Sequence, residues 1–370
     1  MEELLLAAPQ SEDMREAFKG IFRIEHNYDL EAADIADGML WGKQYDAKLS
    51  TSDCLAIAEY MYNKSEYISA AKWYRVALSH HIQFDDDIFR NIYGSQREDI
   101  RKNYIISRLK AGKADDVQLY LKELSHDPKT QLENTAKPTP SISQLGCRGL
   151  YPPRTNLSCR YNFTNTPYSR LAPLKMEIVN ENPFIVLYHD ILYEHEINSL
   201  TNQSITTDGW TDDAEPELEV ERICKVSTVQ DRKIGRRVEQ MSGLNVDLDN
   251  YMQLSNYGLG GHFRNHFDYV DLKGHSIIVP LMAKYHGDRF ATVLFYLSNV
   301  ELGGATIFPR LNLTIWPQRG AALLWYNLDN SVEPEKLSEH AVCPVIVGSR
   351  WVLAEFIVQY KQTFKRPCYK

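Results

Sequence analysis

The amino-acid sequence predicts an α+β protein, in which a C-terminal β-sandwich or jelly roll follows an α-helical domain. Between residues 51 and 124, apolar and aromatic residues recur at helical spacing. From residue 176 onward, the apolar runs are short, rich in β-branched and aromatic residues, and separated by Gly, Asn and Pro, as in all-β domains. With 370 residues, the chain is long enough for two or three domains with their own cores.

Composition narrows the class of protein. The chain is 44% hydrophobic and 24% charged, as expected for a globular protein rather than a disordered one. Its net charge of −8, with no basic segment, argues against nucleic acid as the main partner. No apolar run approaches the ~20 residues that a membrane-spanning helix requires. We therefore expect a globular protein with no membrane span.

The N-terminal part of the chain is expected to be helical. Residues 1–45 have the pattern of the end of a helical region, too small to form a domain alone, and residues 46–133 form a second unit. In that unit, Thr51 or Ser52 is expected to cap one helix, and Tyr67 lies in the next. The pairing of small and aromatic residues resembles a tetratricopeptide hairpin, with a looser second pair at 97–109 and 114–124. A plain helical bundle is the alternative.

The remaining sequence divides into a linker and a β domain. Residues 134–175 contain several prolines among Ser, Thr and Asn, which is typical of a linker. Residues 176–370 are expected to form the β domain, with a helix over residues 189–203 packed outside it. The candidate chemistry lies in this last segment.

Four residues of the β domain carry the strongest functional signal. His266 and Asp268 are two positions apart, so on a strand both side chains point to one face. With His340 they form a set of two imidazoles and one carboxylate, which is the facial triad that holds non-haem Fe(II) and leaves coordination positions open. Arg350 follows His340 and is a cation suited to the far carboxylate of an acidic co-substrate.

The context of these residues resembles a known family. Residues 291–309, 325–327 and 340–351 are similar to the catalytic region of collagen-type prolyl 4-hydroxylase α subunits, and the resemblance covers about half of the chain. The helical part resembles the peptide-substrate-binding domain of that family. Residues 1–45 resemble the end of its N-terminal dimerisation region.

The resemblance implies a fold, an activity and a set of ligands. It implies a double-stranded β-helix (jelly roll) that uses Fe(II), 2-oxoglutarate, O₂ and ascorbate to hydroxylate proline to 4-hydroxyproline in collagen-like or other Pro-rich peptides. It assigns His266, Asp268 and His340 as iron ligands, and it assigns Tyr257 and Thr292 as hydrogen-bond partners of 2-oxoglutarate.

Arg350 departs from the family pattern, which has lysine at this position. Arginine binds carboxylates through a planar two-pronged fork, whereas lysine acts as a point charge. We expect Arg350 to bind the co-substrate with an altered affinity or a shifted pocket. A purely structural arginine beside Trp351 is the alternative.

The resemblance also implies two disulfides and a peptide groove. The disulfides would join Cys147 to Cys159 and Cys343 to Cys368. The groove would use Tyr62 and Tyr67, although other aromatic residues expected in it are replaced in this chain, and packing of both tyrosines in a core is the alternative.

The family further implies protein disulfide isomerase as a β subunit and a location in the lumen of the endoplasmic reticulum. Five N-x-S/T sequons agree with a secretory compartment, and the targeting segment is expected to be missing from this chain. Two alternatives to a proline hydroxylase stay open. One is a non-catalytic peptide-binding subunit with a degenerate dioxygenase domain, and the other is a dioxygenase acting on a different protein substrate.

Overall fold

The computed structural model describes residues 11–80, 97–112, 139–153, 158–206, 211–212, 222–272 and 281–365. The chain divides into two compact units, residues 1–140 and residues 141–370. In the part of the chain that is described, every helix is too short or too polar to cross a bilayer.

The N-terminal unit is built from helices and one short hairpin. Its elements are α1 (Ser11–Tyr28), α2 (Ala32–Ala36), β1 (Met39–Leu40), β2 (Lys43–Gln44), α3 (Thr51–Asn63), α4 (Tyr67–His80) and α5 (Arg97–Lys110). Helix α3 begins with a capping box in which Ser50 accepts from the Asp53 N–H and Asp53 accepts from the Ser50 N–H. The cap therefore lies one residue before the predicted Thr51 or Ser52.

One core holds this unit together. Ile57 and Met61 of α3, Trp73 of α4 and Tyr104 of α5 are buried in it, and Phe18 of α1 packs against the same cluster. Residues on both sides of the predicted boundary near residue 45 thus share a core, because α1 packs against the pair of helices α3 and α4. The predicted helix at 114–124 lies outside the described residues, so the tetratricopeptide-like arrangement stays a prediction.

The C-terminal unit contains most of the strands. They are β3 (Ser158–Asn162), β4 (Leu174–Asn180), β5 (Ile185–His189), β6 (Thr211–Asp212), β7 (Arg222–Ile223), β8 (Lys225–Val229), β9 (Met252–Tyr257), β10 (His262–His266), β11 (Arg289–Tyr296), β12 (Leu302–Gly303), β13 (Thr306–Phe308), β14 (Leu313–Ile315), β15 (Ala322–Tyr326), β16 (His340–Val342), β17 (Val345–Val347) and β18 (Arg350–Val358). The helices are α6 (Ile142–Cys147), α7 (Glu194–Thr206), α8 (Arg232–Ser242) and α9 (Leu281–His286), with 3₁₀ turns at Pro167–Arg170, Pro309–Leu311, Lys336–Ser338 and Tyr360–Gln362.

These strands form two main antiparallel sheets. The large sheet has nine strands in the order β3-β4-β5-β15-β11-β18-β9-β8-β6, and the small sheet has five in the order β14-β13-β16-β10-β7. Strands β12 and β17 form a separate pair. The predicted linker overlaps this architecture, because β3 and the first two residues of β4 lie within residues 134–175 and the two strands pair with each other.

Alternation along the strands gives the large sheet two buried faces. Tyr296 and Trp325 face the small sheet and pack with Phe308 and Val342 from it. Phe295, in contrast, faces the opposite side, where residues of α7 and α8 cover the large sheet. The α+β class and the sandwich of two sheets are therefore confirmed, and the space between the sheets is lined by buried side chains.

The disulfide in the structure is not one of the two predicted. Cys147 at the end of α6 bonds to Cys343, with a Cα–Cα distance of 5.5 Å. The reason is that α6 is held against the small sheet, where the Thr314 hydroxyl donates to the Gly146 carbonyl. Cys159 lies on β3, paired with β4, and is an exposed free thiol. Cys368 lies outside the described residues.

Glu355 supports a prediction about stability and pH. Its side chain is buried on the face of β18 that packs against the helices, and one of its carboxyl oxygens has no hydrogen-bond partner among the described residues. Burial, reinforced by the charge of Asp247, raises the pKa of Glu355 from 4.5 to about 8. Because the folded protein keeps this proton and the unfolded chain loses it, stability falls as pH rises from about 4.5 to about 8.

We therefore expect Glu355→Gln to stabilise the protein, because glutamine stays neutral. The gap in unfolding free energy between variant and parent is expected to widen from pH 5 to pH 8, to the order of a few kcal/mol, and then to stay constant. Thermal or urea unfolding at several pH values measures it. Parallel pH profiles for the two proteins would show that Glu355 does not hold its proton.

Candidate active site

Two histidines face each other across neighbouring strands of the small sheet. His266 ends β10 and lies opposite His340, which begins β16. The register between these strands shifts by one residue between Phe263 and His266, which is a β-bulge. The bulge keeps His266 on the inner side of the sheet, where its ring stacks on Phe263 at 3.5 Å and lies 4.2 Å from the ring of His340.

Backbone carbonyls fix the tautomer of both rings. His266 Nδ1 lies 2.7 Å from the Arg264 carbonyl oxygen, and His340 Nδ1 lies 2.9 Å from the Ser338 carbonyl oxygen. Since a carbonyl can only accept a hydrogen bond, each Nδ1 carries the proton. Each Nε2 then has the lone pair that a metal ligand needs, in the arrangement in which a second hydrogen bond orients the ring.

Asp268 completes the cluster from just beyond the end of β10. The prediction placed it on one strand with His266, but the strand ends at His266 and Asp268 lies in the following bend. Its Oδ2 accepts a hydrogen bond of 2.6 Å from the Thr292 hydroxyl, which in turn accepts one of 2.8 Å from the Asn327 amide. The carboxylate is therefore oriented by strands β11 and β15 of the large sheet.

The electrostatics favour an ionised carboxylate. Burial alone would raise the pKa of Asp268, but His340, His266, Arg289 and the hydrogen bond from Thr292 together lower it below its usual value. Asp268 Oδ1 lies 3.8 Å from Nε2 of each histidine, and one ligand atom from each of the three residues lies within 4.8 Å of the others. Two neutral imidazoles and one carboxylate, all buried, match the donor set of non-haem Fe(II) with open positions.

Thr292→Val tests the support of this carboxylate. The change keeps the side-chain volume and removes the hydroxyl that donates to Asp268. We expect the affinity for Fe(II) to fall roughly tenfold to a hundredfold, as is usual when the partner of a metal ligand is lost. A titration with Fe(II) under anaerobic conditions measures the change. Thr314→Val, which removes a hydroxyl bonded to Gly146, is the matched control, and equal affinities in both variants would contradict the prediction.

A cation lies inside the same sandwich. Arg350 begins β18 and is only 1% exposed. Its Nη2 donates to the Thr306 hydroxyl at 2.9 Å, and its guanidinium carbon lies 5.0 Å and 5.7 Å from the ring centres of Tyr257 and Tyr296. Its Nε and Nη1 have no hydrogen-bond partner among the described residues. A buried guanidinium group with two such donors is costly unless an anion occupies the space beside it.

The cation lies at the distance from the triad that a short dicarboxylate would span. Thr306 pairs with Val342, which is two residues beyond His340 on the same face of β16. Two residues along a strand correspond to about 7 Å. The inner faces of the two sheets thus carry the donors of Arg350 and the metal-ligand cluster about two residues apart, and the region between them is named the internal space.

Sequence reasoning identified Tyr257 and Arg350 at this end but missed two of their neighbours. Tyr296 and Thr306 are buried and hydrogen-bonded to each other at 2.8 Å. The alternation of β11 could have found Tyr296, because it lies on the same face as Thr292. Thr292 itself donates to Asp268, and its predicted hydrogen bond to 2-oxoglutarate stays a prediction.

The turn into β13 depends on glycine at position 304. Gly304 has a φ of +68°, a backbone conformation that favours glycine. A Cβ atom there would lie 3.2 Å from Val300 and 3.3 Å from Val345, and at an ordinary contact distance of 3.4 Å from Arg350 Cδ. The backbone and the two valines therefore favour glycine here more than the cation does.

The two tyrosines predicted to bind peptide lie together in the N-terminal unit. Tyr62 of α3 and Tyr67 of α4 meet edge to face, with ring centres 5.4 Å apart. Lys110, the last residue of α5, places its Nζ 4.4 Å from the ring centre of Tyr62 and 5.1 Å from that of Tyr67. Hydrogen bonding to Tyr62 raises the pKa of Lys110.

Comparison with known proteins agrees with this geometry. Residues 252–358 match the 2OG-Fe(II) oxygenase superfamily, and residues 1–42 match the N-terminal region of the prolyl 4-hydroxylase alpha subunit. The chain is 29% identical over 412 residues to prolyl 4-hydroxylase subunit alpha-2 of Gallus gallus, and the alignment covers 97% of this chain and 76% of that protein. Along nearly its whole length, the chain is therefore similar to α subunits of prolyl 4-hydroxylase.

A second relative and one solved structure are also similar to this chain. The chain is 29% identical over 413 residues to prolyl 4-hydroxylase subunit alpha-1 of Homo sapiens, again with 97% of this chain and 76% of that protein covered. A viral collagen prolyl hydroxylase from Paramecium Bursaria Chlorella virus-1, solved as a 2OG complex, is 20% identical with a TM-score of 0.37, covering 47% of this chain and 95% of that one.

These similarities confirm the resemblance predicted from residues 291–309, 325–327 and 340–351. The oxygenase match at 252–358 encloses the two histidines, Asp268 and Arg350. Fe(II) and 2-oxoglutarate are accordingly the metal and the co-substrate for which this domain is built.

Proposed function

We propose that the chain is the catalytic subunit of a prolyl 4-hydroxylase, which converts proline to 4-hydroxyproline in collagen-like or other Pro-rich peptides. The observation that carries the proposal is the pairing, inside one sandwich, of a buried His/Asp/His cluster with the buried Arg350. The similarity of the chain to α subunits of prolyl 4-hydroxylase supports it. We further propose O₂ and ascorbate as the other small molecules of the reaction.

Residues at one end of the internal space would bind the metal, and residues at the other end would bind the far carboxylate of the co-substrate. His266, His340 and Asp268 would hold Fe(II) through the two Nε2 atoms and Oδ1, since both Nδ1 protons are already donated to backbone carbonyls. Arg350 would bind the far carboxylate of 2-oxoglutarate through its fork, with Thr306 beside it. When bound, the iron would supply the chemistry that activates O₂, the oxidant, with 2-oxoglutarate as the source of two electrons. The buried apolar side chains between the sheets exclude water from the reaction.

We also propose the assembly and the compartment. As an α-type subunit, the chain would pair with protein disulfide isomerase as its β subunit and work in the lumen of the endoplasmic reticulum. The Cys147–Cys343 disulfide and the five sequons support an oxidising secretory compartment. A dioxygenase with a different protein substrate is the second candidate, whereas the complete ligand set argues against a degenerate, non-catalytic subunit.

The test is the release of CO₂ from 2-oxoglutarate, measured with and without a (Pro-Pro-Gly) repeat peptide. The full chain is co-expressed with protein disulfide isomerase, and His266→Ala is the control. We expect Fe(II)-dependent turnover that the peptide stimulates, with hydroxyproline in the product and no turnover in the control. Turnover without peptide hydroxylation would move the substrate to another protein, and no turnover from folded, iron-loaded protein would favour a binding subunit.

For the peptide itself, we propose a site on the faces of Tyr62 and Tyr67, which suit proline rings in an extended helix. The ammonium group of Lys110 lies over these rings, so a neutral peptide must displace it.

We expect Lys110→Ala to tighten the binding of a (Pro-Pro-Gly) repeat roughly twofold to fivefold and Tyr62→Ala to weaken it. Anisotropy of a labelled peptide measures both. Unchanged affinity in both variants would mean that the tyrosines serve only in packing.

A further inference from the structure

Trp325 carries a buried hydrogen-bond donor that the fold itself does not use. Its side chain is 2% exposed, and its indole Nε1 has no hydrogen-bond partner among the described residues. A buried tryptophan normally places its N–H on an acceptor, because the indole nitrogen can only donate. A buried indole N–H without an acceptor in the protein indicates that a bound ligand supplies the acceptor atom.

The indole lies at the metal end of the internal space. Trp325 is directly opposite Thr292 in the pairing of β15 with β11, and both side chains face inward. Thr292 holds Asp268, so the tryptophan is one contact away from the carboxylate ligand. On its other side, its ring meets the ring of His340 at 4.9 Å and that of Phe308 at 5.6 Å, both edge to face. These contacts fix the plane of the indole.

The two sets of unused donors lie at opposite ends of the space. The guanidinium group of Arg350 lies beside Tyr296 and Thr306, whereas Trp325 pairs with Thr292, the residue that holds Asp268. A single anion at the arginine would not reach the indole. A molecule with a carboxylate at each end would meet both, one at the guanidinium group and one beside the metal ligands.

We propose that Trp325 is a co-substrate-binding residue, whose indole N–H donates to the metal-side carboxylate of the 2-oxo acid. This inference rests on the proposed function, since it takes 2-oxoglutarate as the occupant. A hydrogen bond to one oxygen of that carboxylate selects one orientation of the keto acid at the metal. Trp325 would therefore orient the keto acid beside the metal ligands His266, Asp268 and His340.

The test uses two 2-oxo acids and the full chain co-expressed with protein disulfide isomerase. Fe(II)-loaded parent and Trp325→Phe are titrated under anaerobic conditions with 2-oxoglutarate and with pyruvate, which has the chelating end but no far carboxylate. The visible charge-transfer band of the iron complex reports binding. Trp316→Phe, which removes a half-exposed tryptophan, is the matched control, and circular dichroism verifies folding.

We expect Trp325→Phe to lower the affinity for both acids by the same factor, roughly tenfold, as for a lost hydrogen bond to a charged acceptor. We also expect the band to move and the affinity for Fe(II) alone to stay within about twofold of the parent. Arg350→Ala should lower the affinity for 2-oxoglutarate and leave the affinity for pyruvate unchanged. Identical titrations of parent and Trp325→Phe, or an effect on 2-oxoglutarate alone, would overturn the role of Trp325. No band in the parent would instead overturn the proposed function.

A measurement on the parent protein makes the test independent of any loss of folding in the variant. With Zn(II) in place of Fe(II) and ¹⁵N-labelled tryptophan, the indole resonances are recorded before and after 2-oxoglutarate is added. We expect one indole N–H to move downfield and to exchange more slowly with solvent. An unchanged set of indole resonances at saturating 2-oxoglutarate would contradict the hydrogen bond.

Discussion

Replacing Arg350 by alanine is expected to raise the apparent KM for 2-oxoglutarate by at least a hundredfold, while the KM for peptide changes little. A buried charged pair with two hydrogen bonds typically contributes several kcal/mol when one partner is removed. Arg350 is 1% exposed and offers Nε and Nη1 to the space beside Thr306. Alanine would leave the far carboxylate of the co-substrate buried without a cation.

Steady-state kinetics with each substrate varied in turn measures the effect. Arg350→Lys is the informative second variant, because it keeps the charge and loses the fork, so we expect an intermediate KM for 2-oxoglutarate. Arg232→Ala removes an exposed arginine of α8 and serves as the control. Equal increases in the two KM values for Arg350→Ala would mean that the arginine supports the fold rather than the co-substrate.

Replacing His340 by alanine is expected to abolish hydroxylation and to reduce the affinity for Fe(II) by two orders of magnitude or more. The side chain supplies one of three buried ligands, and its Nδ1 is already committed to the Ser338 carbonyl. In the parent protein, Fe(II) bound to the folded state is expected to raise the free energy of unfolding by about 2.7 kcal/mol at a metal concentration one hundred times Kd. The unfolding temperature rises accordingly. The variant should lose this increase.

Anaerobic thermal unfolding with and without Fe(II) checks the prediction without relying on turnover. His189→Ala is the matched control, since His189 pairs with Glu177 at the end of β5 and belongs to no ligand set. We expect the control to keep both the metal-dependent increase and the activity. A variant at His340 that is still stabilised by Fe(II) as strongly as the parent would show that the metal lies elsewhere.

The residue types of the active site could be predicted from the sequence, but their spatial arrangement could be predicted only in part. His266, Asp268, His340 and Arg350 were identifiable because imidazole, carboxylate and guanidinium groups are rare in strand-like segments and their chemistry is specific. The bulge in β10 and the bend that carries Asp268 were not, because they depend on how β10 pairs with β16, a strand that is distant in the chain.

Long-range contacts explain most of the other differences. Cys147 and Cys343 are 196 residues apart, and their proximity depends on the docking of α6 against the small sheet. The segment that resembles a linker becomes part of the sandwich because β4 supplies a partner for β3. Likewise, the contact of Thr306 with Arg350 joins two strands that are distant in the chain, so no local spacing could have indicated it.

The two histidine ligands and the carboxylate-binding arginine are carried by different sheets. His266 and His340 lie on the small sheet, whereas Arg350 lies on the large one. Each end is nevertheless held by the opposite sheet, because Thr292 of the large sheet donates to Asp268 and Thr306 of the small sheet accepts from Arg350. A change in the packing of the two sheets would therefore affect the binding of the metal and of the organic acid together, so that both depend on the sandwich as a whole.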